Sequence, residues 1–572
     1  MKREAVLHIP MSEYAHGIEE DRYVFRIRTA YGDVCECSLY YGDTACRQNP
    51  ILFTREPMQV IASDEYFDYY EVEMKSPYRR MYYYFELISG EEKVYYYADL
   101  FREELAEDRS EYYKLPYNRR EDIADIPKWV KNAVIYNIFP DSFATGYRYI
   151  SKKAKTMPFG EHETHSLLGG TIKGIGANAD YLADLGITCI YINPIFAAGE
   201  YHKYDTLDYM QIDPCFGTNE DFREMVQVMH EHQIRVIIDG VFNHCGWNFP
   251  AFEDIIKEGE HSAYKDWFYG IRFPVSKPED PGAIPDYECF AYERLMPKLN
   301  TSNSRLKEYL LKVGTYWIKE YDIDGWRLDV ASEVDDDFWR SFRKAVKKVK
   351  PDSFLIGEVW ETAKHWLDGS QFDSTMNYDM RKHCSYFFAQ EKIDAAEFGA
   401  RVTHMLMRYR KNLLYGQLNL LDSHDVSRFY SVCGERTAPW KLAVLFQMLF
   451  VGVPSVYYGD EQQIAGMEEK DYRSGMRWQQ DTSIYQFYRR VINLRKSSIA
   501  FTEGSFHTIL ADRGSRLYGF QRSCNGEKYQ VYLNAGSGEA DLGRETGDLI
   551  WQEGYGKGRL AAYGFAVFRE SG

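Results

Sequence analysis

The order of apolar and polar positions changes twice along the chain, and each change marks a different kind of structure. Residues 1 to about 120 alternate with a period of two, as in Tyr23–Arg28 and Met81–Leu87. Turn sequences such as Tyr41-Gly42-Asp43 separate these runs. Alternation of this kind is typical of strands with one buried face. The pattern therefore predicts an antiparallel β-sandwich over residues 1–120.

The middle region, 121–500, alternates short apolar runs with helical patterns. One helical face is clear, with apolar residues spaced three and four apart: Leu306, Tyr309, Leu310, Val313 and Trp317. Asn303 or Ser304 is expected to cap its start. Strands that alternate with helices indicate a parallel sheet with crossover helices. Residues 501–572 return to a period of two and predict a small C-terminal antiparallel β-domain.

Composition narrows the possible functions. The 572 residues include 69 Lys and Arg against 86 Asp and Glu, for a net charge of −17, which argues against a nucleic-acid partner. No apolar stretch is long enough to span a membrane, and no signal-peptide core follows Met1. The ten cysteines form no pair of CxxC motifs, which argues against structural zinc and favours reduced thiols. A cytoplasmic location is therefore expected.

Four apolar runs of the middle region each end in an acidic residue. These runs are Val236–Asp239, Trp326–Asp329, Leu355–Glu358 and Leu418–Asp422. Continuous apolar runs fit strands that are buried on both faces. In a (β/α)₈ TIM barrel the carboxyl ends of the strands meet at one mouth, where active sites are built. The sequence therefore predicts a cluster of carboxylates at a barrel mouth.

Two of these acids have surroundings that favour different protonation states. Arg327 and Asp329 are two positions apart, so they share the interior face of one strand. A neighbouring guanidinium favours an ionised carboxylate, so Asp329 is a candidate nucleophile. Glu358 is followed by the apolar Val359 and Trp360, and desolvation would raise its pKa to suit a proton donor. Such a pair cleaves glycosidic bonds, with retention if the carboxyl groups lie about 5–5.5 Å apart.

Several motifs resemble those of a known enzyme family. Asp239–His244, Gly325–Val330, Gly357–Trp360 and Leu421–Asp425 resemble the four strand-end motifs of the alpha-amylase family of glycoside hydrolases. Segments that resemble its neopullulanase, cyclomaltodextrinase and maltogenic amylase branch are Met296–Asn300, His202–Thr206, Ile212–Gly217 and Val456–Glu461. The resemblance runs from about residue 129 to 478 and extends more weakly over the N-terminal segment.

The resemblance implies a role for each matching residue. Asp329 would be the nucleophile, Glu358 the acid/base and Asp425 the third carboxylate that supports the transition state. Arg327 would orient the nucleophile, and His244 and His424 would bind hydroxyls of the sugar being cleaved. In the motif that contains His202 and Tyr204, Tyr204 would stack beneath the ring of that sugar. Glu469 and Arg473 would contact the next sugar. Trp360 either fills the core or lines the sugar cleft.

The resemblance also implies an architecture and an assembly. The stretch between Asp239 and Arg327 exceeds one helix, so a small inserted domain is expected at about 245–300. A homodimer that pairs through the N-terminal domain is expected from the branch. Calcium is not expected, because Tyr147–Lys153 contains basic residues in place of oxygen ligands and Thr171 follows Gly169-Gly170. No other cofactor or metal is expected.

The expected activity is hydrolysis of α-1,4 glucosidic bonds. Hydrolysis of α-1,6 bonds is a further candidate activity. Cyclodextrins, pullulan, starch and maltooligosaccharides are all candidate substrates, and the sequence does not rank them. A transglycosylase on the same scaffold is an alternative, because the motifs do not decide whether water or a sugar hydroxyl attacks the intermediate. A non-catalytic carbohydrate-binding protein is the alternative from another class.

Overall fold

The chain is described by a computed structural model over residues 1–48, 50–145, 168–280, 282–543 and 547–570. It divides into two compact units. One unit contains Met1–Asp125, Tyr386–Tyr415 and Ile499–Gly572, and the other contains Ile126–Ser385 and Gly416–Ser498. The domain boundaries predicted at residues 120 and 500 stay predictions.

The N-terminal part of the first unit is an antiparallel sheet. Its strands are β1 (Ala15–Gly17), β2 (Arg22–Ala30), β3 (Glu36–Asp43), β4 (Thr54–Ser63), β5 (Phe67–Lys75), β6 (Met81–Ser89), β7 (Glu92–Tyr97), β8 (Leu100–Arg102) and β9 (Tyr113–Leu115). They pair in the order β1-β2-β5-β4-β3-β6-β7-β8, with β9 also on β6.

The sheet folds over on itself, because its strand β4 pairs with β3 along one half and with β5 along the other. As a result β2 and β6, which are not neighbours in the strand order, face each other. The rings of Phe25 on β2 and Tyr83 on β6 lie 4.8 Å apart between their centroids. Both side chains are fully buried in one hydrophobic core. The predicted antiparallel β-sandwich is confirmed.

The second unit is built on a closed barrel. Its strands are β10 (Ile135–Ile138), β11 (Cys189–Ile192), β12 (Phe196–Ala198), β13 (Thr206–Ile212), β14 (Arg235–Gly240), β15 (Gly325–Leu328), β16 (Phe354–Gly357), β17 (Ser374–Asn377), β18 (Leu418–Leu420) and β19 (Val453–Tyr457). The barrel order is β10-β11-β14-β15-β16-β17-β18-β19 and every neighbouring pair is parallel, while β12 and β13 form a separate hairpin. The predicted TIM barrel is confirmed.

Helices connect the strands in both units. They are α1 (Pro140–Phe143), α2 (Ile172–Ala177), α3 (Ala179–Leu185), α4 (Asn219–Glu231), α5 (Pro250–Glu258), α6 (Ser304–Tyr321), α7 (Asp336–Val349), α8 (Tyr378–Cys384), α9 (Ala395–Met407), α10 (Lys411–Leu414), α11 (Phe429–Val432), α12 (Thr437–Leu449), α13 (Glu469–Tyr472), α14 (Ser483–Lys496) and α15 (Ile499–Thr502). Among the described residues, no helix is both long enough and apolar enough to cross a lipid bilayer.

Helix α6 shows how the sequence pattern sets the packing against the barrel. Asn303 caps it, because its side-chain oxygen accepts the N–H groups of Arg305 and Leu306 at 3.1 Å. Leu310 and Trp317 are fully buried on its inner face, as the spacing predicts. The long connection between β14 and α6 holds α5 and isolated bridge pairs, and the predicted insertion at 245–300 falls within this connection.

The last part of the first unit is the C-terminal antiparallel sheet. Its strands are β20 (Ser505–Ala511), β21 (Leu517–Cys524), β22 (Glu527–Asn534), β23 (Ala540–Asp541), β24 (Asp548–Gly556) and β25 (Arg559–Arg569). They pair in the order β20-β21-β22-β25-β23, with β24 also on β25. The predicted C-terminal β-domain is confirmed.

We expect the stability of the N-terminal sandwich to depend on pH through His8. Its Nδ1 lies 2.7 Å from the Arg26 carbonyl and its Nε2 lies 2.9 Å from the Tyr83 hydroxyl. Burial lowers the pKa of His8 from 6.5 to about 4. The neutral ring therefore stabilises the fold fully above about pH 6.5. Below that pH the unfolded chain binds a proton that the folded chain excludes, and stability falls by about 3 kcal/mol towards pH 4.

The measurement is urea unfolding at a series of pH values, for the protein and for His8→Gln. Glutamine can donate to the same carbonyl and accept from the same hydroxyl, but it does not titrate. The variant should therefore lose less stability between pH 6.5 and pH 4 than the unmodified chain. Equal losses in both proteins would contradict this role of His8.

Candidate active site

The predicted acidic residues lie at the carboxyl ends of neighbouring barrel strands. Asp329 directly follows β15 and Glu358 directly follows β16, and each is only 5% exposed. The backbone ladder continues past both strands, since the Asp329 amide donates to Gly240 and the Glu358 amide donates to Leu328. Asp425 lies in the turn after β18. Strand pairing, rather than a flexible loop, therefore fixes the first two carboxylates.

Arg327 on β15 brings these acids together. Its Nη1 lies 2.7 Å from Asp329 and 3.0 Å from Asp239 on the neighbouring strand. Its Nη2 lies 2.6 Å from Glu358 and 3.9 Å from Asp425. The guanidinium is completely buried. The expectation that Arg327 and Asp329 share the interior face holds, and one cation is surrounded by four carboxylates.

The protonation of Asp329 differs from the expectation that Arg327 alone keeps it ionised. Burial and the negative charge of Glu358 raise the pKa of Asp329 well above its usual range, and they outweigh the opposing effect of Arg327. Two buried carboxyl groups that share one guanidinium favour a state that retains a proton. The surroundings of Asp329 therefore favour its protonated form more than those of an exposed aspartate would.

Asp425 has the opposite protonation preference. Burial alone would raise its pKa, but the contact with His424 and the positive charges of Arg327 and Arg473 overcome that effect and hold the pKa well below its usual range. The nearest of these groups is His424, whose Nε2 lies 3.0 Å from the carboxylate, and Arg473 Nη2 lies 3.7 Å away. Asp425 is therefore an ionised carboxylate at neutral pH.

Glu358 is held from two further directions. The Val330 amide donates to one carboxyl oxygen at 3.0 Å, and the Tyr378 hydroxyl lies 3.2 Å from the other. Val330 has φ 43° and ψ 45°, a left-handed conformation that is strained for a β-branched residue. The strained residue is the one that directly follows Asp329 and whose amide donates to Glu358. Backbone strain at such a position is typical of functional sites.

Tyr204 and His424 form one wall of the site. Their rings are parallel, with an interplanar angle of 10° and centroids 5.7 Å apart. The Tyr204 hydroxyl contacts His424 and lies 3.1 Å from Asp239. Burial raises the pKa of Tyr204 well above its usual range, so its hydroxyl remains a donor. His202 stands beside this wall, because its Nδ1 accepts the Tyr204 amide at 3.1 Å.

His244 lies just beyond β14, in the inserted connection. Its ring stacks on Phe290, with centroids 5.1 Å apart and an angle of 22°. Burial lowers its pKa to about 3, so the imidazole is neutral over the physiological range. A neutral imidazole carries one donor and one acceptor, which suits contact with a hydroxyl group.

Glu469 and Arg473 pair at the edge of the site. Arg473 Nη1 lies 2.6 Å from Glu469, and its Nε donates to the His424 carbonyl at 2.8 Å. The pair therefore joins helix α13 to the turn that carries Asp425. Tyr201, which the sequence did not single out, bonds to both members of the pair.

Trp360 lies outside the hydrophobic core. It is 51% exposed and stacks on Tyr378 with centroids 3.7 Å apart and an angle of 9°. This exposure rules out the alternative that it fills the core. Its place in a sugar cleft stays a prediction.

Sequence reasoning missed several residues that contact the predicted ones. Tyr191 donates to Asp239 at 2.6 Å, and Asn193 lies 2.8 Å from His424. A signal for this pair was present, because Tyr191 lies within β11 and Asn193 directly follows it, at alternate positions that share one face. Tyr378 gave no comparable signal, since it lies at the start of a helix twenty residues beyond Glu358.

The calcium prediction concerns two segments, the loop that contains Tyr147–Lys153 and the residue that follows Gly169-Gly170. Tyr147–Lys153 lies outside the described residues. Thr171 occupies the position at which the resemblance implies an acidic calcium ligand in relatives. Its hydroxyl accepts the Gly174 amide at 3.0 Å and so caps α2. Within the described ranges, no group of three or more His, Cys, Asp or Glu side chains is arranged to hold a metal ion.

Comparison with known proteins gives a consistent set of relatives. The family model for the alpha amylase catalytic domain matches residues 137–478, and the model for the alpha amylase N-terminal ig-like domain matches residues 1–119. A cyclomaltodextrinase of Geobacillus thermopakistaniensis (strain MAS1) is 41% identical and covers 95% of this chain and 92% of its own length.

Two further proteins are similar along nearly their whole length. Neopullulanase 2 of Thermoactinomyces vulgaris is 40% identical, over 93% of this chain and 91% of that protein. The solved structure of a cyclomaltodextrinase has a TM-score of 0.91 and 37% identity, and it covers 100% of both chains. The likeness therefore extends over the barrel and both β-domains.

Proposed function

Because the chain belongs to the alpha-amylase family of glycoside hydrolases, we propose that Asp329, Glu358 and Asp425 are the catalytic groups of a retaining enzyme. The family resemblance predicted from the sequence is confirmed, and the chain is a glycosidase. The single guanidinium of Arg327, 2.7 Å from Asp329 and 2.6 Å from Glu358, is the observation that carries this proposal.

The proposed first step takes place from the state in which Glu358 carries a proton and Asp329 is ionised. With that proton on Glu358, an oxygen of Asp329 attacks the anomeric carbon while Glu358 gives its proton to the leaving glycosidic oxygen. The carbon–oxygen bond to the leaving sugar breaks as the bond to Asp329 forms. Asp425, ionised at neutral pH, stabilises the positive charge that develops on the sugar ring.

In the second step, Glu358 is a carboxylate and accepts a proton from an incoming water. The resulting hydroxyl attacks the anomeric carbon, and the bond to Asp329 breaks. The proton is again held by the pair when the sugar leaves. Two displacements on the same carbon give net retention of configuration.

The proposed substrates are α-1,4-linked glucans, with cyclodextrins and pullulan included. Support comes from the relatives, which are named a cyclomaltodextrinase and a neopullulanase and align along more than nine tenths of this chain. Tyr204 and the neutral His244 offer a ring and a hydrogen-bonding imidazole to a bound glucose. Trp360 and Tyr378 form a stacked aromatic pair beside Glu358, and transfer to a sugar hydroxyl stays the alternative to attack by water.

Asp329→Asn and Glu358→Gln should each lower turnover by about 10³-fold or more, because each removes a group that forms or breaks a bond. The measurement is release of reducing ends from cyclodextrin, pullulan and starch, together with the anomeric configuration of the first product by NMR. Unmodified protein should give the α-anomer, and incubation with maltotriose would show any longer transfer products.

Asp337→Asn is a suitable control, because this carboxylate is exposed on α7 and pairs with Lys307. It should retain full activity. Near-normal turnover in either active-site variant would refute the assignment. Failure of the unmodified protein to release any reducing ends would favour the non-catalytic, carbohydrate-binding alternative.

A homodimer that pairs through the N-terminal domain remains part of the proposal. Connections of the N-terminal sheet leave large apolar side chains in solvent, among them Leu52 before β4 at 71% and Tyr66 before β5 at 66% exposure. Burial of such side chains would favour association. Light scattering at micromolar concentration should give twice the chain mass of 67.1 kDa, and Leu52→Asp should shift the protein towards monomer. A monomeric unmodified protein would contradict the proposal.

The cysteines favour a reducing compartment. Cys35 and Cys215 are exposed to solvent and form no disulfide. Exposed thiols persist unpaired where glutathione keeps them reduced. We therefore place the enzyme in the cytoplasm.

Activity and thermal stability should not depend on calcium. Treatment with EDTA should leave the melting temperature and turnover unchanged, because Thr171 caps a helix where an acidic ligand would otherwise stand. A lower melting temperature that added calcium restores, and added magnesium does not, would show that a calcium site exists.

A further inference from the structure

Met376 lies inside the barrel next to the charged centre. It is the third residue of β17, is 3% exposed, and its sulfur lies 3.4 Å from Nε of Arg327. The same sulfur lies 3.8 Å from the hydroxyl oxygen of Tyr378. A thioether is a weak hydrogen-bond acceptor, and both of these neighbours are donors.

The donors of Arg327 show why this sulfur matters. Nη1 contacts Asp239 and Asp329, and Nη2 contacts Glu358, so both ends of the guanidinium meet carboxylates. Nε points the other way, towards β17, and meets the thioether. Because the guanidinium is planar, the partner of Nε also sets the direction of both Nη atoms.

Tyr378 connects the sulfur to the acid. Its hydroxyl lies 3.2 Å from Glu358 as well as 3.8 Å from Met376. Burial and the charge of Glu358 raise the pKa of Tyr378 well above its usual range, so the hydroxyl keeps its proton. The thioether therefore contacts two donors that also contact Glu358.

We propose that Met376 is a positioning residue for the acid–nucleophile pair, because its sulfur accepts the Nε–H of Arg327 and so directs the guanidinium at both Asp329 and Glu358. This inference rests on the proposed function of those two carboxylates. Met376 does not touch the substrate. It acts through Arg327 and, more weakly, through Tyr378.

Leucine at this position would keep the apolar volume but remove the acceptor. The Nε–H of Arg327 would then be buried without a partner, which is unfavourable, so the guanidinium would turn to find one. Such a turn moves Nη1 and Nη2 away from the carboxylates. Small misplacements at a reacting centre lower turnover strongly.

Met376→Leu should therefore lower kcat about 10- to 100-fold and change KM about twofold or less. Met376→Gln has an amide oxygen that can accept from Nε, and it should retain kcat to within about fivefold. In Met376→Leu, weaker contact with the guanidinium also raises the pKa of Asp329, which must be ionised to attack. The acid limb of the kcat/KM profile should therefore move to higher pH.

The matched control is Met229→Leu, at a buried methionine that lies on helix α4 and not on a strand of the barrel. It should change neither kcat nor the pH profile. Melting temperatures of all variants establish that they fold. A methionine that merely filled space would tolerate leucine as well at position 376 as at position 229.

The outcomes separate the inference from the proposed function. If the unmodified protein lacks hydrolytic activity, the proposed function fails. If the unmodified protein is active and Met376→Leu has the same kcat and pH profile, the inference is overturned. Loss of activity in both folded variants would also overturn it, because glutamine supplies an acceptor. If Met376→Leu does not fold, an active Met376→Gln supports the inference and an inactive one refutes it.

Discussion

The contact of one buried guanidinium with several carboxylates is the interaction on which the catalytic unit depends. Arg327 lies within 3.0 Å of Asp239, Asp329 and Glu358, all of them buried. Without a cation, three buried negative charges on neighbouring strands would repel one another and would take up protons. With it, the carboxylates of the proposed catalytic pair lie side by side around one positive charge, which is the arrangement that a double displacement needs. Electrostatics and mechanism are therefore set by the same contact.

The barrel makes this contact possible by geometry. Arg327 and Asp329 are two residues apart on β15, so both face inward, and the parallel partners on each side bring Asp239 and Glu358 to the same level. The closed strand order leaves no free edge at this point. Strand ends thus hold the proposed nucleophile and acid, while the turn after β18 supplies Asp425 and the end of helix α13 supplies Arg473.

Much of this arrangement could be predicted from the sequence, for a physical reason. Apolar runs that end in acids specify buried parallel strands, and the spacing of Arg327 and Asp329 is a local property of a strand. Tyr378 and Tyr201 could not be predicted, because their contacts arise only when distant segments meet in the closed barrel. The raised pKa of Asp329 could not be predicted for a related reason. Its closest cation is local, but the opposing charge of Glu358 comes from the next strand.

The conformation of Val330 has a consequence for how this enzyme can be improved. A glycine there would relax the left-handed backbone, and a more heat-resistant protein would be the natural goal of such a change. The same relaxation would free the amide that now points at Glu358 from its fixed direction. Relief of backbone strain and a fixed contact with Glu358 are therefore opposed at this single position, and a search for hardier variants should leave it untouched.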